Sequence, residues 1–113
     1  MAETQTGTPY YASPEVWKDK PYGVKSDMWS LGCVLYEMAS LKPPFTAMDL
    51  QGLYRKVCAG YFQRIPLKYS NDLETVIRSL LRLNPKDRPT VEELLGNPLV
   101  HKYYEGEIEI KPK

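Results

Sequence analysis

Residues 26–41 carry Met28, Trp29, Leu31, Cys33, Val34, Leu35, Tyr36, Met38, Ala39 and Leu41, and past Asp27 only Glu37 brings a charge. Wound as a helix, these side chains cover nearly every side of the wheel. A helix that is apolar all round is stable only when it is surrounded. This one is too short to cross a bilayer. The sequence therefore predicts a central core helix, capped by Ser26 and running to about Leu41, with Asp27 buried at its start and in need of hydrogen-bond donors.

The remaining chain must supply the wrapping. At 113 residues, 42% hydrophobic and 26% charged, it is globular and forms one domain at most, or part of one. A net charge of +1 gives no reason to expect a polyanion. Lys18, Lys20 and Lys25 read as a solvated face, not a nucleic-acid site, because no stacking aromatics accompany them. The opening residues are polar with no apolar run, so no secretory leader is expected, and no stretch approaches the length of a membrane span. Cys33 and Cys58 lie far apart in apolar stretches without metal spacing. They read as buried free thiols, which fits a reducing, cytoplasmic setting.

The flanking segments all read as helices or loops, with no convincing strand. Ser13-Pro14-Glu15 opens a short helix with a capping serine, a proline at the first position and an acid in the first turn. Lys42-Pro43-Pro44-Phe45 ends the central helix. Asp49 starts an amphipathic helix with Leu50, Leu53, Tyr54, Val57 and Cys58 on one stripe, closed near Gly60. Ser70 or Asn71 caps the next, with Glu74 completing a capping box from Asn71. Leu73, Val76, Ile77, Leu80 and Leu81 form its apolar stripe, and Asn84-Pro85 ends it. Thr90 and Glu93 make a second capping box for a short helix through Leu95, stopped by Gly96-Asn97-Pro98. The fold class expected is all-α. Residues 1–104 form the structured unit, and residues 105–113 read as a charged tail or linker.

Read locally, Glu15 and Arg88 are two solvated charges near opposite ends of the chain, Thr8 is a turn hydroxyl, and Thr4 and Thr6 are polar surface. His101 stands without a second ligand in register and takes no role. The metal-site expectation is none.

Three stretches change these readings: Gly7-Thr8-Pro9-Tyr10-Tyr11-Ala12-Ser13-Pro14-Glu15, then Ser26-Asp27-Met28-Trp29-Ser30-Leu31-Gly32, then Lys86-Asp87-Arg88-Pro89-Thr90. In this order and spacing they resemble the second half of the catalytic domain of eukaryotic protein kinases. Lys25 through Met38, followed by Pro43-Pro44-Phe45, Ile65-Pro66, Tyr69-Ser70 and Asn84-Pro85, is similar to the NIMA-related serine/threonine kinases. The resemblance covers about residues 1–100. It implies the later, all-α half of a kinase's larger lobe, beginning in the activation segment.

The resemblance also implies roles. Ser13-Pro14-Glu15 stands where kinases carry Ala-Pro-Glu, and Arg88 stands where a late arginine pairs with that glutamate, making a structural ion pair. Asp27 matches the aspartate that anchors the catalytic loop. Thr8 matches the threonine of the substrate-facing loop. Thr4 matches the commonly phosphorylated position, with Thr6 as a second candidate. Tyr10-Tyr11 departs from the tyrosine-kinase pattern, which favours serine/threonine specificity.

The motifs that bind ATP and move phosphate are not in this sequence: no Gly-x-Gly-x-x-Gly, no Val-Ala-x-Lys, no His-Arg-Asp and no Asp-Phe-Gly. No catalytic residue is therefore assigned here. The expected partners are a protein substrate and a missing N-terminal part of the kinase domain, which would hold ATP and Mg; nucleic acid and membrane are not expected. Met1 falls inside the expected activation segment, as in a fragment or a truncated chain. The intact protein is expected to transfer the ATP γ-phosphate to serine or threonine, while this chain alone is expected to be inactive. The competing reading is an inactive helical interaction module, or a remnant.

Overall fold

The computed structural model describes residues 7–102. Thr4, Thr6 and residues 105–113 lie outside them, as does the expected boundary at 104. Among the described residues there are six α-helices, one 3-10 turn and no strand, an all-α fold.

Helix α1 (Pro14–Trp17) forms because Ser13 is extended and its hydroxyl accepts from the Val16 N–H, while Pro14 fills a first-turn position whose N–H would have no partner. Helix α2 (Val24–Ser40) begins earlier than expected. Its cap is Gly23, which offers no side-chain bond, and Ser26 lies inside the first turn. The Ser26 hydroxyl is turned away from any capping role because it donates to Glu15 at 2.7 Å. The helix closes on Leu41, in the left-handed region at φ 63°, whose N–H reaches the Glu37 carbonyl at 2.7 Å.

Helix α2 is not surrounded on all sides. Met28, Trp29, Gly32, Cys33, Tyr36 and Ala39 are buried, but Leu31, Val34, Met38 (68% exposed) and Leu41 (87% exposed) face outward. The helices described here cover one side of α2 and leave the other open. Asp27 follows the open side: it is exposed and accepts a hydrogen bond from the Tyr22 hydroxyl, so its expected burial is corrected.

The covered side of α2 carries the core. Trp29 stacks on Phe45 with ring centroids 5.7 Å apart. Phe45 and Tyr36 each meet Phe62 edge-on, at 5.7 and 5.6 Å, the arrangement that aromatic quadrupoles favour. The Tyr36 hydroxyl satisfies itself on the Gln63 carbonyl at 2.8 Å. Helix α3 (Leu50–Ala59) adds Leu53 and Val57, between an Asp49 cap and a left-handed Gly60, as its sequence predicts. Each such fully buried side chain contributes about 1.5–3 kcal/mol of transfer free energy.

Helix α4 (Asn71–Leu80) packs along α2 with Ile77 and Leu80 buried, followed by Leu81. Of the two candidate caps, Ser70 is the one used, accepting from the Leu73 N–H at 3.1 Å. Glu74 makes no capping box. It is buried, accepts from the Ile65 N–H at 3.1 Å, and pairs with Arg78 one turn on. The long-range amide and the nearby guanidinium outcompete the local backbone for that carboxylate.

After α4 the chain makes a 3-10 turn (Pro85–Asp87), then α5 (Val91–Gly96), which carries both bonds of the Thr90–Glu93 capping box. Helix α6 (Pro98–Lys102) follows and was not anticipated; Asn97, expected only as a stop, caps it by accepting from the Leu99 N–H. Cys33 is a buried free thiol whose pKa burial pushes up to about 12, whereas Cys58 is half-buried.

Candidate functional site

Arg88 leaves the 3-10 turn and runs into the interior, 1% exposed. A guanidinium has five N–H donors and no tolerance for burial without acceptors. Here all five are used. Nη1 donates to Glu15 Oε2 at 2.7 Å and to the Lys25 carbonyl at 2.9 Å. Nη2 donates to Glu15 Oε1 at 2.9 Å and to the Leu83 carbonyl at 3.1 Å. Nε donates to the Arg82 carbonyl at 2.7 Å. The guanidinium also lies 5.0 Å from the Trp29 ring centroid, so a cation–π contact backs the hydrogen bonds.

Glu15 is held from both sides, by the fork of Arg88 and by the Ser26 hydroxyl. Burial works to raise its pKa, but the hydrogen bonds from Arg88 and Ser26 outweigh it and hold the carboxyl down at about 2. The charged form is therefore the one built into the fold. Lys25 adds a further tie, its ammonium donating to the Arg88 carbonyl at 2.7 Å. The sequence placed Lys25 on a solvated face; it is half-buried instead, and no local pattern signals its partner.

This clasp anchors the loop that leads into α1. Thr8 and Tyr10 are exposed on that loop, and the Tyr10 N–H closes a tight turn on the Thr8 carbonyl at 2.9 Å. The Tyr11 carbonyl accepts from the Ser30 hydroxyl of α2 at 3.1 Å, and the Tyr11 hydroxyl donates to Glu37. That hydrogen bond, with burial and the carboxylate charge, pushes the Tyr11 phenol up to about 12. The loop and α2 enclose an open cavity of about 660 Å³, lined by Thr8, Tyr11, Tyr22 and Ser30, with Glu37 its only charged residue among the described residues.

The structure thus brings Glu15 and Arg88 together and sets Thr8 on the wall of a cavity. Asp27 stands apart from the clasp, at the surface, where its hydrogen bond holds the Tyr22 phenol above its ordinary pKa. Sequence reasoning missed Lys25, Ser26 and the carbonyls of Arg82 and Leu83. Their contribution depends on chain segments meeting in space, and nothing in their neighbours marks it.

An all-α body with a loop clasped to it by a buried arginine is the architecture, and comparison with known proteins gives it a class. The chain belongs to the protein kinase domain family, whose model matches residues 1–100. Within that family it is similar to NIMA-related serine/threonine kinases. It is 50% identical over 100 residues to human serine/threonine-protein kinase Nek2, covering 88% of this chain and 22% of that protein. It is 44% identical over 112 residues to human Nek5, covering 96% of this chain and 16% of that protein. It is 48% identical over 104 residues to the probable serine/threonine-protein kinase nek3 of Dictyostelium discoideum, covering 91% of this chain and 9% of that protein. The chain thus spans less than a quarter of each of these relatives and is part of a serine/threonine protein kinase domain.

Proposed function

We propose that this chain is the activation segment, substrate-facing loop and helical scaffold of a NIMA-related kinase that transfers the ATP γ-phosphate to serine or threonine of protein substrates. The observation that carries this reading is the five-bond clasp of Arg88 on Glu15 and the neighbouring carbonyls, which fixes the root of the loop bearing Thr8. A loop that presents a substrate hydroxyl must be positioned by a rigid base, because misplacement by about 1 Å can cost about 100-fold in rate.

In this reading Thr8 faces the substrate, and Asp27 anchors a catalytic loop supplied by the preceding part of the kinase domain. Thr4, with Thr6 as a second candidate, takes the activating phosphate. Kinases use ATP and magnesium, but the described residues do not fit them. No three His, Cys, Asp or Glu side chains converge to hold a metal, and the cavity beside Thr8 offers the phosphates no cation. In this reading the nucleotide and metal belong to the upstream part, and the chain alone is inactive. Among the described residues no helix is long and apolar enough to cross a membrane.

The test is a chimera in which this chain replaces the matching 100 residues of human Nek2. The folded chimera is expected to phosphorylate a serine peptide, to lose most of that activity on Thr8→Ala, and to incorporate phosphate at Thr4 or Thr6. The isolated chain is expected to transfer none. A folded but inactive chimera, or phosphotransfer by the isolated chain, overturns the reading.

A further inference from the structure

Two cavities flank the segment that follows α3. One, of about 440 Å³, lies between residues 42–46 and the end of α3, with Lys42 and Lys56 in its wall. The other, of about 590 Å³, has Arg64 and Arg78 in its wall. Tyr61, Phe62 and Gln63 line both, so the two cavities adjoin along this segment, and together they are called the groove. Among the described residues, no Asp or Glu lines either one. Four cations stand in these walls, and among the described residues only one of them, Arg78, has a carboxylate partner, Glu74.

The groove is built, not incidental. Phe62 is 5% exposed, fixed edge-on against Tyr36 and Phe45, and the Arg78 guanidinium sits 4.5 Å from its ring centroid. Arg64 is held in place by its own bonds to the Ile65 carbonyl and Asn71 Oδ1, at 2.8 and 2.6 Å. The Lys56 ammonium gives one donor to the Thr46 carbonyl at 2.7 Å, and an ammonium carries three. The nearby acid, Glu74, is buried and engaged by the Ile65 N–H and by Arg78. Two exposed apolar side chains share this lining, Tyr61 at 76% and Leu67 at 84%.

We propose that this groove docks an extended acidic segment of a partner protein. Its carboxylates meet Lys42 and Lys56 on one part and Arg64 and Arg78 on the other, and a bulky apolar side chain covers Tyr61 and Leu67. Complementary charge sets the register and the on-rate, and the aromatic anchor supplies the desolvated contact. The inference stands apart from the phosphotransfer reading, since neither Thr8 nor the clasp takes part in it. A nucleic-acid strand fits less well, because Tyr61 is the one exposed ring among the groove's lining and offers no series of stacking platforms.

The test uses the full 113-residue chain and fluorescence anisotropy of a labelled Glu-Glu-Phe-Glu-Glu peptide. Binding is expected to weaken at least about tenfold in Lys42→Glu/Lys56→Glu, two exposed positions, with circular dichroism unchanged. A separate variant, Tyr61→Ala, is expected to weaken binding with no change in its salt dependence. A Lys-Lys-Phe-Lys-Lys peptide is expected not to bind. Equal binding of the acidic and basic peptides overturns the proposal, as does wild-type affinity in the folded Lys42→Glu/Lys56→Glu variant. So does tighter binding of a thymidine oligonucleotide than of the acidic peptide. Sedimentation that shows a dimer dissolved by the same two substitutions also overturns it, by assigning the groove to a second copy.

Discussion

Gly32 of α2 faces Leu80 of α4 so closely that a Cβ at position 32 would stand 2.8 Å from the Leu80 Cβ and 2.9 Å from a Leu81 methyl. The nearest atom is fixed to backbone, so a side chain at 32 must push the two helices apart. Gly32→Ala is therefore expected to destabilise the chain by about 1–3 kcal/mol through overpacking. The gain of about 1 kcal/mol that alanine brings to a helix interior offsets part of this, which leaves a net loss of up to about 2 kcal/mol. Urea denaturation checks it, and a raised midpoint would show that the helices do not meet here.

Arg88→Ala should be far more damaging than Lys86→Ala. Removing the arginine leaves Glu15 buried without its counter-ion and strips donors from three carbonyls, a loss of about 3–5 kcal/mol. Lys86 is an exposed side chain two residues away, and its loss should stay within about 0.5 kcal/mol. Paired urea midpoints decide the matter; equal values would deny the clasp any stabilising role.

The clasp also sets an acid dependence. With a folded pKa of about 2 against an ordinary 4.5, the Glu15 carboxyl binds its proton more readily when the chain is unfolded. Its contribution is fully present above about pH 4.5 and is lost as the pH falls toward 2. Denaturation midpoints measured from pH 5 down to about 2.5 should fall in the native chain and fall less steeply in Glu15→Gln. Identical slopes would place the acid sensitivity elsewhere.

Leu41 ends α2 with a left-handed backbone and an 87% exposed side chain, so it bears the steric cost of that conformation with little burial in return. Leu41→Gly is expected to stabilise the chain by a few tenths to about 1 kcal/mol, the relief of left-handed strain less the added chain entropy. A thermal melt with a lowered midpoint would count against this account.

Local chemistry was the part of this fold that the amino acids declared. Asp49 and Gly60 close the two ends of α3, and Thr90 with Glu93 caps the start of α5, using atoms a few positions away, and the structure has those bonds. Ser26 and Glu74 have the same appearance and different partners, because Glu15 and the Ile65 N–H reach them from other elements. The all-round apolar character of α2 marked a core helix, yet which side would be covered depended on where α4 and residues 43–45 came to rest. The meeting of Glu15 and Arg88, 73 residues apart, had no local signature; only the kinase-like motifs suggested it.

Because one guanidinium serves Glu15 and the carbonyls of Lys25, Arg82 and Leu83, three stretches of chain share a single fastening. The beginning of α1 cannot detach while the turn after α4 stays intact, since either movement strands the same charge. In hydrogen exchange, amides on both sides of this knot should open together as one cooperative unit.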